Sequence, residues 1–290
     1  MFGSTRSSRE GKPSAAGSLH VQDGIVNNTR ASPETFRSFI ALGDSFTEGL
    51  NDELRADGRH RGWADRVAQG LLVRQGLDEI TYANLAIRGR LIGQVRDEQV
   101  PVAERMRPDL VTFAAGVNDA LRKGFDLDLV ATHLEDSVRL LRAAGSQVLL
   151  FAYGDPARRS RSLARLSERM LGLRTATLAI AQAYECPVVD FWGVATYDDE
   201  RLWSADRLHL SPLGHRLTAE AVLEALGRGN PAWRTPVTGA ERPGFAARRV
   251  EDARWFGAHA GPWIARRVRG VSSGAGIEPK DPILRTIHAR

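Results

Sequence analysis

From residue 37 onward the chain alternates between two hydrophobic patterns. RSFIAL (37–42) is a short apolar run, and GWADRVAQGLLVRQGL (62–77) sets Trp63, Val67, Leu71 and Leu72 at helical spacing. ITYANLAI (80–87) reads as a second strand. LIGQVRDEQVPVAERM (91–106) reads as a helix that Pro101 breaks or kinks. PDLVTFAAG (108–116) is a third strand, and DLDLVATHLEDSVRLLRAAG (126–145) is an amphipathic helix stopped by Gly145. SQVLLFAYG (146–154) is the fourth strand. In SRSLARLSERMLGLRTATLAIAQAYE (160–185), Leu163, Leu166, Met170, Leu173, Thr177, Ile180 and Tyr184 form one stripe of a long helix. CPVVDFW (186–192) is the fifth strand. SPLGHRLTAEAVLEALG (211–227) closes the series, with Ser211 as N-cap and Pro212 at the first helical position.

Strands that each hand over to a helix predict an α/β fold, with a five-stranded parallel sheet covered on both faces in three α/β/α layers. The strands are mostly continuous apolar runs, as burial of both faces requires. Residues 1–34, rich in Ser, Gly, Arg and Asn, show no periodicity and read as a disordered arm. The domain is expected over 35–228, followed by an extension over 229–290.

With 42% hydrophobic and 26% charged residues the chain can build a sizeable core. No apolar run approaches the roughly 18 residues of a membrane span, and the N-terminus lacks a signal-peptide-like stretch. One cysteine, Cys186, excludes an intramolecular disulfide and a multi-cysteine metal cluster; it reads as a small apolar residue entering a buried strand. A cytoplasmic location is the resulting expectation. The net charge of +5 is unevenly spread: 11 of 40 basic but only five of 35 acidic residues fall in 229–290, leaving the remainder one unit negative. That extension also holds Trp233, Trp255 and Trp263, so part of it should pack, with short helices near 251–256 and 262–269. It reads either as a wrap over the domain or as a contact for a partner or an anionic surface, for which WIARRVRG is amphipathic and basic.

Open parallel sheets bind ligands beyond the carboxyl ends of their strands. After strand one, FIALGDSFTEGL brings Ser45. After strand two come Asn84 and Gly89, after strand three Asn118 and Asp119, and beyond strand five Asp206, His209 and His215. A serine, a histidine and a carboxylate are what make an alcohol nucleophilic near neutral pH: the imidazole takes the proton and the carboxylate fixes its tautomer. The G-x-S-x-G elbow is absent because Thr47 stands at its second glycine. A P-loop is absent because no Lys-Ser or Lys-Thr follows GDSFTEG.

Gly43-Asp44-Ser45, then Gly89, then Gly116-Val117-Asn118-Asp119, then Asp206-Arg207-Leu208-His209 resemble the four ordered blocks of the SGNH, or GDSL-type, hydrolases. The resemblance covers about residues 39–226, and Phe46 stands where the family name has leucine. It implies a flavodoxin-like strand order and a serine esterase, with water as second substrate and no metal or organic cofactor; the chain shows no long apolar lid like that of a dedicated lipase, which leans the reading toward short-acyl or acetyl esters. Ser45 would be the nucleophile, His209 the base and Asp206 its orienter. The backbone N–H groups of Ser45 and Gly89 and the side-chain amide of Asn118 would form the oxyanion hole. A sugar acetate, a lipid, a thioester and an aryl ester all remain open as the natural substrate, and so does the oligomeric state. Asp44 is expected to brace the loop, Asp119 to cap the following helix and His215 to pack or cap. The alternative is a non-catalytic binding module on the same scaffold, its basic tail engaging nucleic acid or an acidic partner.

Overall fold

The computed structural model describes residues 35–159, 161–236, 274 and 276–289. The expected alternation runs through it: β1 (Ser38–Gly43), the single turn α1 (Ser45–Glu48), α2 (Gly62–Arg74), β2 (Glu79–Asn84), α3 (Ile92–Glu98), α4 (Val100–Met106), β3 (Leu110–Ala114), the short α5 (Val117–Ala120), α6 (Leu127–Ala143), β4 (Gln147–Ala152), α7 (Ser167–Ala183), β5 (Val188–Asp190), α8 (Pro212–Ala225) and β6 (Asp281–His288). Strands β1 to β5 are parallel, in the order β2-β1-β3-β4-β5, which is the flavodoxin-like order.

Period-two alternation explains the three layers. Phe39 and Ala41 of β1 join a core with Trp63, Val67 and Leu71 of α2 and Val222 of α8. Ile40 and Leu42 point the other way, to Val95 of α3, Ala103 of α4, Val138 of α6 and Leu173 of α7. Both faces are dry, so the central strands carry almost no polar side chains.

The sheet has six strands rather than five. β6 pairs antiparallel with β2, from Glu79 opposite His288 to Asn84 opposite Asp281, and so lies on the outer edge. An antiparallel neighbour needs no crossover helix, and only Asp281 of β6 is buried, while Ile283 is 68% exposed. Strand–helix alternation therefore gives no sign of it. Charge holds it instead. The buried Lys280 ammonium donates to the carbonyls of His60 (3.0 Å) and Arg61 (2.6 Å) and to Asp65. Arg55 bridges Asp65 (2.9 Å) and Asp281 (2.7 Å).

Two helices differ from their expected extents. The helix over 91–106 is broken into α3 and α4 beside Pro101, as its ring requires. At the break, the buried Gln99 amide accepts from Gly43 N–H (2.8 Å) and donates to Gly43 C=O (2.9 Å), fixing the end of β1. The helix expected from residue 160 starts only at Ser167, with a 3₁₀ segment (Arg161–Leu166) before it. In the extension, Trp233 is buried within a short 3₁₀ turn (Pro231–Arg234) against Phe191 and Tyr197. The 1–34 arm, the helices expected near 251–256 and 262–269, and Trp255 and Trp263 lie outside the described residues. Among the described residues no helix is long and apolar enough to cross a membrane.

Candidate active site

β1 ends in a conformation only glycine holds comfortably. Gly43 has φ +147°, and a Cβ there would lie 2.3 Å from the Ala114 carbonyl oxygen of β3. The chain turns at once into α1, whose first N–H groups are capped by Asp44: its Oδ1 accepts from Phe46 N–H at 3.1 Å. Ser45 is thereby held in the first position of α1, with its hydroxyl free of capping duty.

His209 comes from the opposite direction, out of the loop after β5. That loop is closed by Ser204 N–H donating to the His209 carbonyl (2.8 Å) and includes Arg207 at φ +56°. His209 Nε2 lies 3.0 Å from Ser45 Oγ, and Nδ1 lies 2.7 Å from Asp206 Oδ2. An ionised carboxylate can only accept, so Nδ1 carries the proton and Nε2 is left to accept from the serine hydroxyl. Asp206 also accepts from the N–H groups of Leu208 and His209 (both 3.0 Å), from Ser204 Oγ (2.6 Å) and from Asn51 Nδ2 (3.0 Å). Burial pushes its carboxyl up, but the His209 hydrogen bond and charge, with the other donors, hold it well below the usual carboxylate range.

Asn118, in α5 after β3, reaches the same place. Its Nδ2 donates to Asp44 Oδ2 (2.9 Å) and to the Arg90 carbonyl (3.2 Å). Gly89 lies in the loop after β2 at φ +76°. That loop is tied to the serine-bearing turn by Glu48 of α1, which accepts from Arg88 N–H (2.9 Å) and pairs with the Arg88 guanidinium. Ser45, Asn118 and His209 share one cavity of about 170 Å³, whose walls include Phe46, Leu121, Leu163, Leu166, Met170 and Trp203. Gly89 is not among the residues lining it.

Asp44 braces Asn118, as expected of a loop residue, and is itself perturbed. Burial raises its carboxyl from 3.8 to about 6, against the Phe46 N–H, the His209 charge and the Asn118 amide. The folded protein then binds more protons than the unfolded chain between about pH 4 and 6, so this group's contribution to stability falls as pH rises through that window. The cost at pH 7 is up to about 3 kcal/mol. Urea unfolding between pH 4 and 7 is expected to show a less negative stability slope in Asp44→Asn than in the unsubstituted protein. Equal slopes would show that Asp44 titrates like a free aspartate.

The remaining candidates separate from the site. Asp119 caps α3 rather than the helix that follows it, accepting from Ile92 N–H at 3.0 Å. This corrects the expected capping: the loops after β2 and β3 are neighbours, so the carboxylate reaches across instead of forward. His215 touches the cavity wall but is a packed, neutral group. It donates to the Leu50 carbonyl (3.0 Å), accepts from Trp63 N–H (3.3 Å), and burial pushes it down to about 4. The buried Asn84 donates to the Thr47 carbonyl (2.8 Å). No cluster of three or more metal-ligating side chains occurs among the described residues. Residues that sequence reasoning missed are Asn51 and Ser204, which hold Asp206, and Arg88, which ties the Gly89 loop. Nothing in the sequence marks them, since polar residues in loops are the norm.

Comparison with known proteins gives the same frame. The model of the GDSL-like lipase/acylhydrolase family matches residues 41–217. An arylesterase from Vibrio mimicus is 26% identical over 120 residues, 41% of this chain and 56% of that protein's length. The structure of a lipase/acylhydrolase from Enterococcus faecalis superposes with a TM-score of 0.55 at 25% identity, covering 67% of this chain and 98% of the other. A variant of an acetyl xylan esterase from Geobacillus stearothermophilus superposes with a TM-score of 0.58 at 19% identity, covering 68% and 99%.

Proposed function

The chain belongs to the GDSL-like lipase/acylhydrolase family, and from that premise we propose that it is a serine esterase that hydrolyses carboxylic esters through an acyl-enzyme. One observation carries the reading. Side chains from two separate loops, Ser45 after β1 and His209 with Asp206 after β5, form a continuous chain of hydrogen bonds at 3.0 and 2.7 Å.

The chemistry follows from that order. Ser45 Oγ attacks the acyl carbonyl as His209 Nε2 takes its proton, giving a tetrahedral oxyanion and an imidazolium that Asp206 stabilises. His209 then returns the proton to the leaving alkoxide as the C–O bond breaks. Water repeats the cycle on the acyl-enzyme and releases the acid and Ser45. The oxyanion is met by the N–H groups of Ser45 and Gly89 and by Asn118, whose longer bond, 3.2 Å to the Arg90 carbonyl, is the one it can exchange for the developing charge.

The acyl group is short, acetyl being the simplest, as the acetyl xylan esterase of similar fold suggests by analogy. The intact protein is expected to hydrolyse 4-nitrophenyl acetate with a kcat/KM at least tenfold above that for the decanoate. Preference for the decanoate would overturn the short-acyl assignment, and failure to hydrolyse any member of a chain-length series would overturn the esterase.

A further inference from the structure

Resting on the esterase reading, we propose that Arg159 is a specificity-determining residue that recognises an acid group, carboxylate or phosphate, carried by the ester substrate. Arg159 follows β4, at the carboxyl end of the sheet, and lines the same cavity as Ser45 and His209. Its guanidinium carbon lies over the Trp203 ring, 3.6 Å from the centroid, and one nitrogen donates to the Arg207 carbonyl at 3.2 Å. A guanidinium has five N–H donors in a planar fork, so most of this group's hydrogen-bonding capacity is unspent.

The neighbouring charges show how unusual this is. Arg158 is paired with Asp198 (2.6 Å), Arg174 with Asp190 (2.6 Å) and Arg201 with Asp199 (2.7 Å). The other carboxylate at this wall, Asp155, accepts from Ala157 N–H (2.9 Å) and Ser167 Oγ, and so caps its own turn. Among the described residues no carboxylate lies within ion-pairing distance of Arg159. Burial pushes its guanidinium down to about 10, with Asp198 opposing from farther away, so it remains a cation at neutral pH and one poorly compensated by its surroundings. A second group lining the cavity is also unsatisfied: the buried Tyr153 hydroxyl has no hydrogen-bond partner among the described residues.

An arginine packed against tryptophan, on the wall of the cavity that also holds a serine–histidine pair, is built to accept an oxyacid. The fork matches carboxylate and phosphate alike, and the contact with the indole helps to hold it in place before the substrate arrives. A neutral substrate would cover the half-buried cation without pairing it, so discrimination comes from both terms.

The test uses pairs of esters that differ in the presence of one acid group. Mono-4-nitrophenyl glutarate against 4-nitrophenyl pentanoate places the acid on the acyl side. 4-Acetoxybenzoate against 4-acetoxybenzamide places a carboxylate on the leaving group, and 4-acetoxyphenyl phosphate against phenyl acetate places a phosphate there. The expected result is an acid-over-neutral preference in kcat/KM in at least one pair, carried mainly by KM. That ratio should fall tenfold or more in Arg159→Gln and be partly restored in Arg159→Lys. A ratio that is unchanged in Arg159→Gln, or no acid preference in any pair, overturns the proposal; a residue that merely props the loop would slow both members of a pair equally. Calorimetric titration of glutarate, benzoate and phenyl phosphate into Ser45→Ala and Ser45→Ala/Arg159→Gln reads the site without turnover. If no ester is hydrolysed yet an acid binds in an Arg159-dependent way, the esterase reading fails and the anion site stands. If esters are hydrolysed and no acid binds, the reverse holds.

Discussion

Ser45→Ala is expected to lower kcat/KM for 4-nitrophenyl acetate by about 10⁴-fold or more, and to abolish covalent labelling by a fluorophosphonate that in the unsubstituted protein adds one phosphonyl group at Ser45. The hydroxyl is the only group in the relay that can form the acyl bond. What survives its removal is water attack assisted by His209 and the oxyanion donors, which in enzymes of this logic leaves a residual acceleration on the order of 10³–10⁴ over water. The fold has little stake in Oγ. α1 is capped by Asp44, not by Ser45, and the hydroxyl's hydrogen bond is to His209. Thermal unfolding of the variant should stay close to that of the parent, so the loss is chemical and not a folding defect. Turnover that persists unchanged, or an adduct at another residue, would end the assignment of Ser45.

The strands β1 to β5 were legible because burial on both faces leaves continuous apolar runs, which few other environments tolerate. The candidate site was legible for a related reason: its residues stand where those runs stop, and a parallel sheet gathers such stops at one edge. Ser45 and Asn118 follow β1 and β3, which are hydrogen-bonded neighbours, and 163 residues of intervening chain do not matter to His209, which approaches from beyond β5. β6 was illegible because an edge strand buries so little that its sequence is free to be polar. Asp281 and Arg285 look like surface charge until Lys280 and Asp65 are seen beneath them.

The stripe over 160–185 was misleading in an instructive way. Met170, Leu173, Thr177 and Ile180 do form the buried face of α7. Leu163 and Leu166 continue the spacing but lie in the 3₁₀ segment and line the cavity beside Ser45. Three-residue spacing fits a 3₁₀ turn as well as an α-helix, and apolar residues that wall a cavity carry the same signature as those that fill a core. Arg159 was invisible for the opposite reason: in a chain with 40 basic residues, one arginine without a carboxylate partner among the described residues has no sequence mark. Only the pairing of its neighbours singles it out.

Asp206→Asn is expected to lower kcat on the order of 10⁴-fold with little change in KM, the size seen when the orienting carboxylate of such a relay becomes an amide. The carboxylate accepts from five donors: two backbone N–H groups, Ser204, Asn51 and the His209 ring. An amide has one acceptor oxygen. If that oxygen keeps the backbone N–H groups, its NH₂ faces His209 Nδ1 and Asn51 Nδ2. The imidazole must then accept at Nδ1, carry its proton on Nε2, and present Ser45 with a donor instead of a base. Stability should change with a definite sign as well. Because the Asp206 carboxyl is held below its usual range, its contribution is present above about pH 4 and is lost as pH falls toward the folded value. The stability gap between parent and variant should therefore be widest near neutral pH and shrink in acid, while the kinetic defect persists wherever both are folded. A variant with kcat within tenfold of the parent would mean that another group orients His209, and the search would turn to Asn51 and Ser204. A stability gap that stays constant down to pH 2 would mean that the carboxylate is not favoured by its donors, and the relay would lose the physical basis on which its direction of proton transfer rests.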